Sequence, residues 1–249
     1  MNSTLVLIDG MGLLYRAYFA IPSLSTKSGR PTNAVFGFVR TLRQISDCWK
    51  PTHWAVVFDG GLPRDRLTLL REYKAQRPPM PDALREQIVV VEDYLNRAEI
   101  PWTRIAEEEA DDVMAALAIK AEADAESVLI ATNDKDMYQI VSEKIKLISF
   151  SKQTTLTGPE DVRKKTGVVP SQIVDWLALA GDSSDNIPGV PGVGGKTAAK
   201  LLQQYGSIES LLLNLDSLSS KRLRKAIMEN ADIVHRNAKL VRFHLPAEL

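Results

Sequence analysis

Short apolar runs rich in β-branched residues alternate, along residues 1–150, with longer segments in which apolar residues fall three and four apart. The first rhythm predicts buried strands and the second amphipathic helices. Thr4 to Ile8, Trp54 to Phe58, Ile100 to Ile105, Ser127 to Ala131 and Lys144 to Phe150 are the predicted strands. Gly10 to Ala20 predicts a helix, and Ala34 to Cys48 a second with Val35, Phe38, Val39, Leu42 and Ile45 inward. Asp82 is placed as the cap of a third, which turns Leu84, Ile88, Val91, Tyr94 and Leu95 to the core, and Val113, Met114 and Leu117 mark a fourth. From Pro159 onward strand signals cease. Helices are predicted there over Asp161 to Thr166, Ser171 to Ala180, Thr197 to Tyr205, Ile208 to Asn214 and Ser220 to Val241, with a subdomain boundary near Ser151 to Gly158. Alternating strand and helix argues for an α/β fold with a mostly parallel central sheet covered on both faces.

Ligands in such folds bind outside the carboxyl ends of the strands, and in this chain acids collect there. Asp9 ends the first strand, Asp59 the second, and Asp134 and Asp136 follow Ser127 to Ala131. Glu107-Glu-Glu-Ala-Asp-Asp112 sets five acids in six residues ahead of a helix, more than capping and the helix dipole call for. Glu109 and Asp112, three apart, share a helix face, whereas Asp111 points elsewhere unless the first turn is irregular. Gathered without a counter-charge, these carboxylates would raise one another's pKa values and destabilise the fold. A cation is the economical explanation. Oxygen ligands without Cys or His select Mg²⁺ or Mn²⁺ over zinc, and an open carboxylate site suits phosphodiester hydrolysis assisted by ions about 4 Å apart.

Composition opposes this picture at one point. The 249 residues, 45% hydrophobic, suffice for one large core or two small ones, but Lys plus Arg and Asp plus Glu number 31 each. Net charge therefore gives no support for a nucleic-acid partner, and only a local separation of acid in a cleft from base at its rim restores one. Such a separation exists between Gly61 and Pro81, where Arg64, Arg66, Arg71, Lys74 and Arg77 surround Tyr73, although a charge run is as readily a solvated face. Gly181 to Leu202 then joins Asp182 and Asp185 to a glycine-rich turn and a helix start. A Walker A loop requires glycine where Val190 stands, and the dinucleotide fingerprint fails at Thr197. What remains is a Gly-x-Gly turn between helices, whose free N–H groups suit a nucleic-acid backbone, with Lys196 and Lys200 adding charge. Cys48, the single cysteine, lies on an amphipathic helix and is expected to be buried; His53, His235 and His244 read as surface or packing residues. No apolar run is long enough to cross a membrane and the N-terminus reads as a strand, which gives a cytoplasmic expectation.

Six motifs stand in a fixed order: Asp9-Gly-x-x-Leu-Leu-Tyr-Arg16, Val56-Val-Phe-Asp59, Tyr73-Lys-Ala-x-Arg77, Glu109-Ala-Asp-Asp-Val113, Asn133-Asp-Lys-Asp136, and Gly181-Asp-x-x-Asp-Asn-Ile-Pro-Gly-Val190 followed by Lys196-Thr-Ala198. Together they resemble the 5′-nuclease (5′-3′ exonuclease) domain of bacterial DNA polymerase I and related flap endonucleases, over nearly the whole chain. The resemblance implies a PIN-like nuclease core over residues 1–158 with a helical arch at about 61–104. It also implies a helical helix-hairpin-helix-type subdomain over 159–249 with its hairpin at 181–202. By the same resemblance Asp9, Asp59, Glu109, Asp111, Asp112, Asp134, Asp136, Asp182 and Asp185 hold two Mg²⁺ ions, for which Mn²⁺ substitutes. Lys74 lies near the scissile phosphate with Arg16 and Arg77 as basic partners. Tyr73 stacks on a base near the cut and Arg66 adds a DNA contact. Gly189, Gly192, Gly194, Gly195, Lys196, Thr197 and Lys200 hold duplex backbone, and K⁺ binds main-chain carbonyls around Val190 to Gly195.

The implied activity is that of a monomeric 5′-3′ exonuclease and structure-specific flap endonuclease, acting on DNA with a 5′ flap or 5′ end in replication and repair, with a DNA polymerase as partner. Asp65 stands where the family usually has an aromatic, and Glu107-Glu108 where Gly-Tyr is common. No polymerase segment follows Leu249, so the chain reads as a free-standing nuclease or an excised domain. Two other readings stay open: a non-catalytic duplex-binding module, and a ribonuclease of the PIN type, whose short domains lack the hairpin subdomain.

Overall fold

Along the first strand Val6 and Ile8 turn to one face of the sheet and Leu7 to the other, and all three are buried. Burial on both faces is the condition of a central strand in a covered parallel sheet. The computed structural model, which describes residues 3–125 and 127–245, places this strand there. The N-terminal part runs β1 (Thr4–Asp9), α1 (Gly10–Ala20), α2 (Asn33–Trp49), β2 (His53–Phe58), α3 (Arg64–Leu69), α4 (Asp82–Arg97), β3 (Trp102–Arg104), α5 (Ala110–Glu122), β4 (Ser127–Ala131), β5 (Ile145–Ser149) and β6 (Lys152–Thr157). Six strands form one sheet in the order β3-β2-β1-β4-β5-β6, parallel except for β6. Strand order reverses direction at β1, so the crevice between the carboxyl ends of β1 and β4 is the switch point where such sheets bind ligands.

Two cores flank the sheet. On one face α1, α2 and α4 pack Leu14, Phe38, Leu42, Leu84 and Leu95 against Val6, Ile8 and Phe58. Gln87 of α4 locks this layer, since its buried carbonyl accepts the Ala34 and Val35 N–H groups at the start of α2 (2.8 and 3.2 Å). On the other face Val113, Met114 and Ala118 of α5 meet Leu7, Val57 and Ile130, and this core continues into the C-terminal helices without a break. Those elements are α6 (Pro159–Thr166), α7 (Ile173–Ala180), β7 (Gly181–Asp182), β8 (Ile187–Pro188), α8 (Gly195–Tyr205), α9 (Ile208–Leu213), α10 (Lys221–Glu229) and α11 (Ala231–Val241). Fully buried Asn237 of α11 donates to the carbonyls of Ala178 and Pro188 (3.1 and 2.7 Å), tying α11 to α7 and to β8.

Several local expectations are corrected. The segment at Ser151 to Gly158 contains β6, a threonine-rich strand paired antiparallel to β5; exposed on one side, it lacks the apolar run that marks the buried strands. Strand pairing also recurs beyond Pro159, as the two-residue ladder of β7 and β8. Pro81 rather than Asp82 is the N-cap of α4. Ser220 to Val241 is two helices, because the backbone leaves helical geometry at Asn230 (φ −115°, ψ 17°). Cys48 is exposed: the inward place at the end of α2 goes to Trp49, whose indole N–H donates to the Gln153 carbonyl (2.6 Å).

Candidate active site and nucleic-acid interface

Each acid of the site is positioned by the end of an element. Asp9 closes β1 and caps α1, accepting the Gly12 N–H (2.7 Å) and the Thr132 hydroxyl (3.1 Å). Asp59 follows β2 and accepts the Ala110 N–H at the start of α5 (2.9 Å). Asp134 follows β4 and accepts the Asp136 N–H (2.8 Å). Asp111, in the first turn of α5, faces Asp134, Asp9 and Asp59. The switch point thus gathers four carboxylates. Burial first, and then Asp59 and Asp134, push Asp9 up to about 7. Burial and then Asp134, Asp9 and Asp59 push Asp111 well above the ordinary carboxylate range.

A second group adjoins the first. Oxygens of Asp136, Asp182 and Asp185 lie within 4.8 Å of one another, all three residues buried. Burial raises Asp136 well above its ordinary pKa, as do Asp134, Asp182 and Asp185, and its Oδ1 has no hydrogen-bond partner. A buried carboxylate oxygen left unpaired among like charges is costly unless a cation completes it, so this donor set fits a hard divalent ion. Burial also opposes the charge of Asp182, but the Ser184 hydroxyl and N–H and the Lys135 ammonium (3.0 Å) outweigh it and hold the carboxylate below its usual range. Lys135 within Asn133-Asp-Lys-Asp136 is a site residue not expected from the sequence; its place between two acids is the signal that marks it.

Base meets acid on the side of α3 and the turn after it. The Lys74 ammonium, its side chain 8% exposed, contacts Glu109 and lies 3.4 Å from Asp185. Burial disfavours its charge, yet Glu109 and Asp185 more than compensate and raise its pKa. Lys74 reaches that place with φ 55°, the left-handed region, and its N–H donates to the Asp185 carbonyl (3.0 Å). A non-glycine residue held there is strained by its surroundings, a feature that clusters at functional sites. Arg77 donates to the free edge of Asp185 (2.8 Å).

Three residues differ in place from their expected roles. Tyr73 is 3% exposed, with its hydroxyl donating toward Glu109 (3.0 Å) and Asp185 (3.1 Å); in this structure its ring offers no face to a base. Arg66 is 7% exposed and bound to Glu109 and Asp112, with its donors occupied inside the fold. Arg16 lines a separate cleft between α1 and α2 with Arg40, Gln44 and Gln153. Glu109 and Asp112 do share a face, as three-residue spacing requires, but that face is turned to Arg66 while Asp111 is turned to the sheet's acids.

The hairpin separates its glycines by role. A β-carbon at Gly189 would lie 2.2 Å from the Ala180 carbonyl oxygen, so this glycine permits the close pass of β8 beside the end of α7. Gly192 has φ 84°, and a β-carbon there would meet nothing within 4 Å; a β-carbon at Gly194, the N-cap of α8, would likewise meet nothing within 4 Å. The turn is therefore open to a close-approaching ligand at Gly192 and Gly194. At Gly195 the carbonyl accepts the Trp176 indole N–H (2.8 Å), which fixes the start of α8. Thr197 donates its N–H to the Gly194 carbonyl (2.9 Å), and Lys196 and Lys200 are exposed.

A doubly wound sheet with a carboxylate-lined switch point, joined to a helical hairpin subdomain, sets hard-ion ligands beside a backbone-gripping turn, an arrangement suited to metal-assisted phosphodiester hydrolysis. The comparisons make the assignment specific. A model of the 5′-3′ exonuclease N-terminal resolvase-like domain matches residues 4–167, and one of the 5′-3′ exonuclease C-terminal SAM fold matches residues 168–249. The 5′-3′ exonuclease of Aquifex aeolicus is 41% identical over 237 residues, covering 95% of this chain and 81% of its own length. DNA polymerase I of Bacillus subtilis is 43% identical over 231 residues, 92% of this chain, and the matched part is 26% of that polymerase. Among solved structures, phage T5 5′-exonuclease with bound divalent metal ions (zinc) superposes with a TM-score of 0.79 at 25% identity, over 96% of this chain and 89% of that one. A pseudo-enzyme-product complex of T5 D15 flap endonuclease with DNA and metal ions matches equally well, with TM-score 0.79, 25% identity and coverage of 96% and 88%. The chain belongs to the 5′-3′ exonuclease family.

Proposed function

We propose that this chain is a Mg²⁺-dependent 5′-3′ exonuclease and structure-specific 5′-flap endonuclease acting on DNA. The observation that carries the proposal is the convergence of Asp9, Asp59, Asp111 and Asp134 on Asp136, Asp182 and Asp185 at the switch point. Oxygen-only donors favour hard ions. These acids and Glu109 would hold two such ions, which when bound would supply charge neutralisation and lower the pKa of water.

The protein's own part is binding and orientation. Lys74 and Arg77 already sit on Glu109 and Asp185, so a phosphodiester entering the site exchanges those contacts for its own oxygens, and the two cations face the charge that grows in the transition state. The hairpin's open turn at Gly192 and Gly194, with Lys196 and Lys200 beside it, holds duplex backbone and sets the distance from grip to cut. A K⁺ ion on main-chain carbonyls around Val190 to Gly195 belongs to the same reading, and K⁺-dependent duplex affinity tests it. The polymerase I relatives support a role beside a DNA polymerase in replication and repair.

A labelled duplex with a 5′ flap, incubated with Mg²⁺ or with EDTA, tests the activity. Cleavage at the junction only with the metal is expected; no cleavage, or equal cleavage in EDTA, refutes it. An equivalent RNA flap cut faster would favour the ribonuclease reading.

A further inference from the structure

We propose that Arg66 is a positioning residue that latches the segment following α11 to the first turn of α5, with Asp112 as its counter-ion and not a metal ligand. The proposal rests on the metal-dependent reading above and assigns Asp112 a different task within it.

All five N–H groups of the Arg66 guanidinium have an acceptor. Nε donates to the Leu240 carbonyl (3.0 Å) and Nη2 to the Arg242 carbonyl (3.3 Å). Nη1 and Nη2 grip the two oxygens of Asp112 at 2.7 and 2.8 Å, and Nη1 also donates to Glu109. The donor inventory of arginine is thereby used up. Asp112 is fully buried, and its Oδ1 additionally accepts the His244 N–H (2.8 Å). Both oxygens thus face Arg66 and the chain after α11. The groups acting most on Asp112, apart from its burial, are Arg66, the His244 amide and Glu109, whereas Asp111, one residue earlier, faces Asp134, Asp9 and Asp59.

This division follows from the helix. Positions 109 and 112 share one face and 111 another, so a clamp on Glu109 and Asp112 fixes the rotation of the first turn and aims Asp111 into the acids of the sheet. The N-cap residue Glu109 makes no side-chain cap bond, and Asp59 takes the Ala110 N–H (2.9 Å); the clamp adds a second hold on the same turn. Glu109 is then shared between Arg66 on one side and Lys74 and Tyr73 on the other. A planar fork with donors in fixed directions is required for the bidentate grip, which lysine cannot reproduce. The α3 segment, the chain after α11 and the α5 carboxylates meet in one side chain, so the register of the C-terminal helices is transmitted to the metal-facing acid.

The test uses the whole chain without DNA. Mn²⁺ stoichiometry and affinity are read by electron paramagnetic resonance, and amide exchange over 240–244 by mass spectrometry, for wild type, Arg66→Lys, Arg66→Gln, Asp112→Asn and the double variant Arg66→Gln/Asp112→Asn. Far-UV circular dichroism confirms that each is folded. The latch predicts unchanged stoichiometry, an affinity loss of about tenfold in each single variant, faster exchange at His244, and a double variant no weaker than the weaker single one. Loss of one ion in Asp112→Asn, losses that multiply in the double variant, or Arg66→Lys behaving as wild type in both readouts overturns it. A wild-type protein that takes up no Mn²⁺ refutes the metal-dependent reading itself.

Discussion

Removing divalent metal should make the stability of this protein fall as pH rises toward neutrality, a direction opposite to that of proteins whose carboxylates are paired. The cause is Asp9. Its ordinary pKa of 3.8 is lifted to about 7 in the fold, by burial and then by Asp59 and Asp134. Below the unfolded value both states are protonated and the group is neutral in its effect. As pH rises the unfolded chain ionises freely while the folded one resists. The stability present below pH 3.8 is thus progressively lost, and the loss is complete once pH passes through about 7. At about 1.4 kcal/mol per pH unit, this one carboxyl accounts for a loss of about 4 kcal/mol. Asp111, Asp134 and Asp136 move in the same direction for the same reasons, but protonating one relieves its neighbours, so their contributions do not add.

Against a typical total of about 5–15 kcal/mol, that loss is a large fraction. The part of it lost between pH 5 and pH 7, about 2.7 kcal/mol, corresponds for a chain of this size to a drop in Tm of about 5–10 °C. The assay is thermal unfolding in EDTA from pH 5 to pH 8, above the range where Glu109 and Asp182, held below their usual pKa values, would be protonated. Mg²⁺ added at pH 8 should restore the lost stability by binding the folded state alone, and Asp9→Asn should flatten the slope in EDTA. A Tm that is level or rising over this window, or an unchanged slope in Asp9→Asn, would refute the account of a charge-loaded, cation-requiring cleft.

Other outcomes follow from the same geometry. Lys74→Met should lower the flap-cleavage rate by about 10²–10³-fold while flap affinity measured in Ca²⁺ stays close to wild type, because it removes charge where charge develops; a loss confined to binding would place Lys74 on the substrate-holding surface. Asp134→Asn should lose hydrolysis and keep duplex binding, which single-turnover kinetics and a gel-shift titration separate. Lys196→Ala should weaken duplex binding and reduce the salt slope of log K by about one. Asn237→Ala, which removes two hydrogen bonds tying α11 to Ala178 and Pro188, should cost about 1–3 kcal/mol in denaturant unfolding.

What the sequence discloses about this site depends on whether a residue's role is local. Asp9, Asp59 and Asp134 are legible because a strand ending on an acid in a parallel α/β fold has only one place to put it, the crevice at the carboxyl edge. The split between Asp111 and the pair Glu109 and Asp112 is likewise legible from helical spacing. What that pair faces is not, since Arg66 is 43 and 46 residues away, and Leu240, which Arg66 also holds, lies 174 residues from Arg66. In sequence Arg66 is one more cation in a basic run, and the run favours a wet, DNA-facing reading; only tertiary packing makes it a buried fork with every donor occupied. Tyr73, for which the family resemblance implies stacking on a base, differs for the same reason: its hydroxyl lies between Glu109 and Asp185, placed there by tertiary packing. The basic stretch thus contributes in two layers. Arg66 and Tyr73 are spent on holding the carboxylates, whereas Lys74 and Arg77, on the turn that follows α3, rest on Glu109 and Asp185, the contacts that a phosphate displaces under the proposed function. A neutral net charge is no obstacle to DNA binding where the charge is separated, with acids gathered in the cleft and Lys196 and Lys200 exposed on the hairpin side.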